Sequence, residues 1–320
     1  MSIISSNISQ AVIILENEDL VAIPTETVYG LAGNIYSDKA IRNIFEVKQR
    51  PLFNPLIVHL HSIEQLADII LEFPEKAQLL AKTFWPGPLT LLLKKKPTIP
   101  DLITAGKETV AVRIPNHPVT LELLKNLSFP LAAPSANPFN RISPTKAIHV
   151  ENYFKDSIQM VLEGGDCKNG LESTIVGFEN NEPIVYRLGA ISIEEIEEII
   201  GEIQIKNKEE NAPEAPGMLE KHYSPKTKTC LSQDIEGFLE NHPNKKIGIV
   251  SFSRNFSGTN ILKTEILSEK EDLKEAAANL YAALHNLDQL DLDIILVQPL
   301  PNIGLGKSIN DRLERATKEF

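Results

Sequence analysis

The 320-residue chain has only two cysteines, Cys167 and Cys230, far apart and in no CxxC pair. That excludes a disulfide framework and a thiolate zinc site, leaving two free or buried thiols. Its seven histidines form no HExxH or comparable spacing, so no metal held by protein ligands is expected. A GxxxxGK[ST] loop, a GxGxxG at the first strand–helix turn and a GxSxG elbow are all missing, and neither cysteine sits in an activating sequence. Aromatic residues make up 6%, thin for a surface that stacks bases. The opening MSIISSNISQAVIILENEDL lacks the basic stretch and long apolar core of a signal peptide. Its apolar clusters are broken by charge well short of a membrane span. The expectation is a cytoplasmic protein with no membrane partner.

What is present is an ordinary globular composition, 42% hydrophobic and 23% charged, with length enough for two domains. The formal net charge of −11 is uneven: residues 1–150 carry +1 and the remainder −12. A polyanion would find its host in the first half, and the acidic remainder argues against indiscriminate nucleic-acid binding.

Hydrophobic periodicity predicts helices in NISQAVIILENED, in SDKAIRNIFEVKQR with Ser37 or Asp38 as N-cap, in SIEQLADII with a cap of its own, and in the acidic SIEEIEEIIGEI. Strands are expected at 20–23, PLIVHL, LTLLLKK, TVAVRIP, FPLAAPS, SIQMVLEGG, STIVGF and PIVYRLG, and TETVYGLAGN is expected to form a polar turn. Several strands follow each other through connections too short for a helical crossover, so the α/β sheet should be mixed. KNKEENAPEAPG, polar and proline-bearing, is the candidate linker. Beyond it, KIGIVSFS, EDLKEAAANLYAALHNLDQL, DIILVQP and SINDRLERATKEF alternate strand and helix, a small second α/β domain. GLGKS at 304–308 reads as a helix entry capped by Ser308.

Polar clusters fall at the strand ends, where ligands gather in open α/β sheets. They are PTETVYG, KQRPLFNPLIVHLH with Lys48, Arg50 and Asn54, the Arg113 that ends TVAVRIP, LAAPSANPFNRISPT, EGGDCKNGLEST and the Arg187 of VYRLG. Guanidinium groups pair bidentately with carboxylate or phosphate, and short hydroxyls with turn amides take the remaining oxygens. Each cluster alone also fits a capped turn or a solvated cation. Their recurrence in the non-acidic half points to an anionic ligand.

The KxR of KQRPLFNPL and the SxN of APSANPFNRISPT, with PTETVYGL, WPGPLTLLL, VAVRIPNHP and GLESTIV in order, resemble the YrdC-type family of threonylcarbamoyl-AMP synthases. The linker APGMLEKHYSP with an α/β domain behind it looks like the long form. The resemblance implies a twisted mixed-sheet YrdC-like catalytic domain at 1–203, a linker at 204–227 folding over the site, and a Rossmann-like α/β domain at 228–320. It implies that L-threonine, bicarbonate and ATP give L-threonylcarbamoyl-adenylate and pyrophosphate, with Mg²⁺ carried by the nucleotide. The product would feed N6-threonylcarbamoyladenosine (t6A) formation at tRNA position 37 through a downstream tRNA threonylcarbamoyl transferase complex. Direct tRNA contact is left open.

By the same resemblance, Lys48, Arg50, Ser135 and Asn137 line the nucleotide phosphates as the catalytic set. Asn54, Thr109, Ser143 and Arg187 are nucleotide-contacting, and Tyr223 is a linker residue folding over the site. Arg113 looks like the clamp on the threonine carboxylate, with Thr27, His59 and Ser173 around the same amino acid. The chain departs from the family pattern at Pro138, Phe139 and Asn140, where a serine–glycine pair is usual, although asparagine tolerates positive φ, and at Leu188, where proline often follows the arginine. Arg141 is expected to face water. Hydrogenase-maturation carbamoyltransferases use the same domain but in far longer, cysteine-rich chains. A non-catalytic RNA-binding module of this fold is the other alternative; it would need a long basic, aromatic-bearing surface.

Overall fold

The computed structural model describes residues 3–208, 213–219 and 221–318. Eleven strands form one mixed sheet. Its order is Ile3–Ser5, Met160–Leu162, Val21–Ile23, Gly30–Asn34, Leu131–Ala132, Ile57–His59, Thr109–Arg113, Leu89–Lys94, Thr174–Glu179, Glu182–Arg187 and Gln204–Ile205. Parallel and antiparallel pairings interleave: Ile57–His59 runs parallel to Thr109–Arg113 and antiparallel to Leu131–Ala132. A second sheet is wholly parallel, in the order Thr229–Leu231, Ile294–Val297, Ile247–Ser251 and Ile261–Ile266, with helices Leu273–Asp288 and Leu305–Thr317 packed on it.

Four expectations are corrected. GLAGN is a strand, Gly30–Asn34, paired antiparallel with Val21–Ile23. Its glycine serves packing: a Cβ on Gly33 would come within 3.0 Å of Leu20 and 3.2 Å of Ile44, so its absence lets the helix Asp38–Lys48 settle on the strand. SIEQLADII splits into a 3₁₀ turn, Ile63–Gln65, and a single helical turn, Leu66–Ile69, and Ser62 makes no capping bond. The last helix starts at Leu305 with Gly304 as its N-cap, and Ser308 lies inside the first turn, where its hydroxyl donates to the Gly189 carbonyl. The terminal amide of Gly304 and the Lys307 ammonium both reach Glu194 Oε1, at 3.3 and 2.7 Å. The GLGKS turn therefore holds a carboxylate of the helix Ile193–Ile200. Gln204–Ile205, expected to open the linker, instead extends the first sheet. Part of that linker, residues 209–212, lies outside the described residues.

The helix Asp38–Lys48 positions the first site residues. Ser37 caps it, accepting from the Ala40 amide at 3.1 Å, and Gln49 closes it in the left-handed region at φ 53°. Its buried stripe runs Ile41, Ile44, Phe45, Lys48, the i, i+3, i+4, i+7 spacing of a core face. The periodicity that buries three apolar residues thus carries the Lys48 ammonium into the interior.

Among the described residues, no helix is long and apolar enough to cross a membrane.

Candidate active site

The ends of Ile57–His59, Thr109–Arg113, Gly30–Asn34 and Glu182–Arg187 converge on one cavity, roofed by Pro216, Gly217, His222 and Tyr223. Of the residues singled out in the sequence, Thr27, Arg50, His59, Arg113, Ser135, Ser173, Arg187 and Tyr223 line it. The space left between these side chains is about 40 Å³.

Arg50 and Arg187 form one cationic group. Arg50 donates to Asn54 Oδ1 at 2.7 Å and to the carbonyls of Asn54 and Pro55. Arg187 donates to Ser173 Oγ at 2.9 Å and to the carbonyls of Ser173 and Pro216. Both are buried, and among the described residues none of these bonds goes to a carboxylate. Burial, and then the nearby Arg187, pulls Arg50 down to about 9. Two buried guanidiniums with only neutral oxygens as partners stand ready for an anion.

Arg113 forms the other group. It sits in register with His59 on the neighbouring strand and donates from Nε to the Gly87 carbonyl, while Nη2 lies 2.7 Å from Glu26 Oε1. Burial, then the Arg113 charge, lowers His59 to about 3. Its Nδ1 faces the Ile57 carbonyl at 3.2 Å and must donate there, so Nε2 keeps its lone pair. A group held so far below neutrality accepts hydrogen bonds but takes up no proton at pH 7.

Five of the expected residues stand back from the cavity wall. Lys48 donates to the carbonyls of Ser135 and Asn137, both at 2.5 Å, and so braces the loop that presents Ser135. Asn54 is held by Arg50. The Asn137 amide spans its own turn, donating to the carbonyls of Pro138 and Arg141. Asn140 does adopt a positive φ, 64°. Ser143 donates to Glu172 Oε1 at 2.6 Å. Thr109 starts the strand that Arg113 ends, roughly 13 Å away along it. Arg141 does not simply face water: its guanidinium donates to the Pro225 carbonyl at 3.2 Å, and its backbone bridges Ser224.

Sequence reasoning missed Glu172, a buried member of the cavity wall. Its Oε1 accepts from Ser143, and its Oε2 accepts from Tyr281 at 3.0 Å and Arg312 at 2.9 Å, both from the second domain. Burial alone would raise this carboxyl, but Arg312, Arg187 and the Ser143 hydroxyl outweigh it and hold it below its ordinary value. GLEST places Glu172 beside Ser173, but nothing in the spacing reveals partners more than a hundred residues away.

A cleft with one arginine beside a neutral histidine, two more hydrogen-bonded only to neutral oxygens and a tyrosine roof defines an anion-binding site of an α/β protein, built for positioning rather than nucleophilic attack. A family model described as "Telomere recombination" (Sua5/YciO/YrdC) matches residues 13–189, and one described as "Threonylcarbamoyl-AMP synthase, C-terminal domain" matches 191–317. The chain belongs to the Sua5/YciO/YrdC family. It is 40% identical to the threonylcarbamoyl-AMP synthase of Pyrococcus abyssi, over 93% of this chain and 90% of that one. To the Bacillus subtilis protein of the same name it is 37% identical, over 97% and 92%. The crystal structure of P. abyssi Sua5 complexed with L-threonine superposes with a TM-score of 0.91 at 38% identity, covering 99% of this chain and 98% of that one.

Proposed function

We propose that the chain is an L-threonylcarbamoyladenylate synthase, a nucleotidyltransferase acting on L-threonine, bicarbonate and ATP. The observation that carries this reading is the pairing, in one cavity, of Arg113 beside a neutral His59 with Arg50 and Arg187, whose hydrogen bonds go only to neutral oxygens. The first set suits an amino acid, with Arg113 on its carboxylate and Thr27, Ser173 and His59 Nε2 accepting or donating around its amine and hydroxyl. The second suits a triphosphate, with Ser135 and Tyr223 alongside; Lys48, Asn54, Asn137 and Ser143 act by holding those groups, and Thr109 is left without a contact.

The threonine amine forms a bond to the carbon of bicarbonate with loss of water. A carbamate oxygen then bonds to the α-phosphorus as the Pα–O bond to the leaving group breaks, and pyrophosphate departs with that electron pair. Buried guanidiniums neutralise charge growing on the phosphates, and the Tyr223 roof keeps water from the adenylate. Mg²⁺ would arrive on the nucleotide. Glu172 is the only carboxylate among the described residues of the cavity wall, and both its oxygens are already engaged, which fits a metal held by phosphate oxygens. The metal supplies charge neutralisation on the phosphates when bound.

The adenylate would pass to a tRNA threonylcarbamoyl transferase complex for t6A formation at position 37, in the cytoplasm. The test is pyrophosphate release by purified protein supplied with ATP, Mg²⁺ and bicarbonate. It should depend on L-threonine, and release at the same rate without threonine would refute the reading.

A further inference from the structure

Tyr223 is a residue under constraint. Its φ of 63° is one that a bulky side chain rarely adopts. The residue is 1% exposed and lines the cavity, and its hydroxyl has no hydrogen-bond partner among the described residues. Such a conformation persists only where the surroundings hold it, and much of that hold comes from the second domain.

The Arg312 guanidinium, on the helix Leu305–Thr317, lies 4.7 Å from the centroid of the Tyr223 ring. Tyr281, on the helix Leu273–Asp288, stacks against the same ring at 5.8 Å and 25°. These two side chains are also the ones that reach through to Glu172 Oε2. Arg312 is itself fixed by Asp311 and by the Leu188 carbonyl of the first domain. One buried arginine therefore touches the roof residue, the wall carboxylate and the turn that follows Arg187.

We propose that Arg312 and Tyr281 are positioning residues, through which the second domain fixes Tyr223 and Glu172 and so controls how the cavity closes over its ligand. Neither touches the reacting atoms. Arg312 works by seating the Tyr223 ring, and Tyr281 by stacking on it and anchoring Glu172. The kinetic part of this inference rests on the synthase reading; the structural part does not.

The experiment compares wild type with Arg312→Gln and Tyr281→Phe, by amide hydrogen exchange and by kinetics. Exchange at 221–226 should rise about tenfold in Arg312→Gln and less in Tyr281→Phe, with the strands Ile57–His59 and Thr109–Arg113 unchanged. The KM for ATP should rise about tenfold with a smaller change in kcat, and Arg312→Lys should restore little of it, since a point charge lacks the planar face and fork. Tyr223→Ala combined with Arg312→Gln should cost little more than Tyr223→Ala alone, because Arg312 acts by seating the ring that this change removes. Wild-type exchange at 221–226 in the folded variants, or single effects that multiply in the double variant, would overturn the proposal. Should Arg312→Gln fail to fold, Tyr281→Leu, which removes both the stacked ring and the bond to Glu172, decides by the same readings. A wild type that lacks threonine-dependent turnover refutes the synthase reading, while the exchange comparison still decides this one.

Discussion

Arg113 Nη2 lies 2.7 Å from Glu26 Oε1, and both side chains are buried. Glu26 Oε2 also accepts from the Asn116 amide at 3.0 Å, so the acid is tied to the backbone on its far side. The pair keeps the guanidinium oriented toward the cavity and spares it the full cost of burial.

A substrate carboxylate at Arg113 would gain a charged hydrogen bond in a dry site. Arg113→Ala should therefore weaken threonine binding by roughly 2 kcal/mol or more, with much less effect on ATP. Isothermal titration with each ligand checks this. An unchanged threonine affinity would sink the assignment.

Lys48 acts at one remove. Burial, and then the Arg50 charge, pushes its ammonium well below the ordinary lysine value, yet it bonds two carbonyls of the loop carrying Ser135. Lys48→Met preserves the bulk in the helix stripe but frees those carbonyls. ATP affinity should fall about tenfold, the loss of one or two such bonds, while threonine binding changes less. Equal losses for both ligands would point to general unfolding of the site instead.

The two domains also meet at a pair of stacked histidines, His149 and His285, 3.9 Å between ring centroids. His285 bonds the Ser143 carbonyl, and the Thr145 amide bonds His149. Burial lowers both, His149 to about 3, with His285 adding to it, and His285 to about 4. Their folded values lie below the unfolded one near 6.5, so the unfolded chain binds more protons in between. Stability should be full above about pH 6.5 and fall as the pH drops toward 4. Urea unfolding across that range measures it, and His149→Phe should flatten the slope.

Gly170 lets the second domain approach. At φ 68° it occupies a region that favours glycine, and a Cβ there would meet Ala277 O at 2.4 Å and Ala278 Cα at 2.5 Å, on the helix that carries Tyr281 and His285. Gly170→Ala should destabilise the protein by about 2 kcal/mol or more, from the backbone penalty and the clash together. It should also loosen 221–226 in amide exchange. A variant as stable as wild type would show that the helix can retreat at no cost.

Most strands and the long helices were legible because period-2 and period-3.6 apolar patterns report a buried face directly. The strand Gly30–Asn34 was not: its glycines carry a turn signal, and only the neighbouring helix explains why a missing side chain is wanted there. Ser62 and Ser308 look like caps, but their side chains make no capping bond. Among site residues, Arg113 and Arg187 were visible because a cation ending an apolar strand is conspicuous, and Arg50 because it follows Lys48 at a helix end. Thr109 carries no such signal, and the strand that holds it points its other end at the cavity.

The chain by itself pointed to the class of chemistry: a sequence without a nucleophile or metal-ligand motif, and arginines and hydroxyls at strand ends in the non-acidic half. Local spacing suffices for that, because charge and periodicity are properties of short segments. Only the tertiary structure decided which of these groups face the cavity and which merely brace it, and that Arg312 and Tyr281 reach it from the second domain. Those contacts join positions more than a hundred residues apart. No periodicity spans such a distance; packing alone brings them within bonding range.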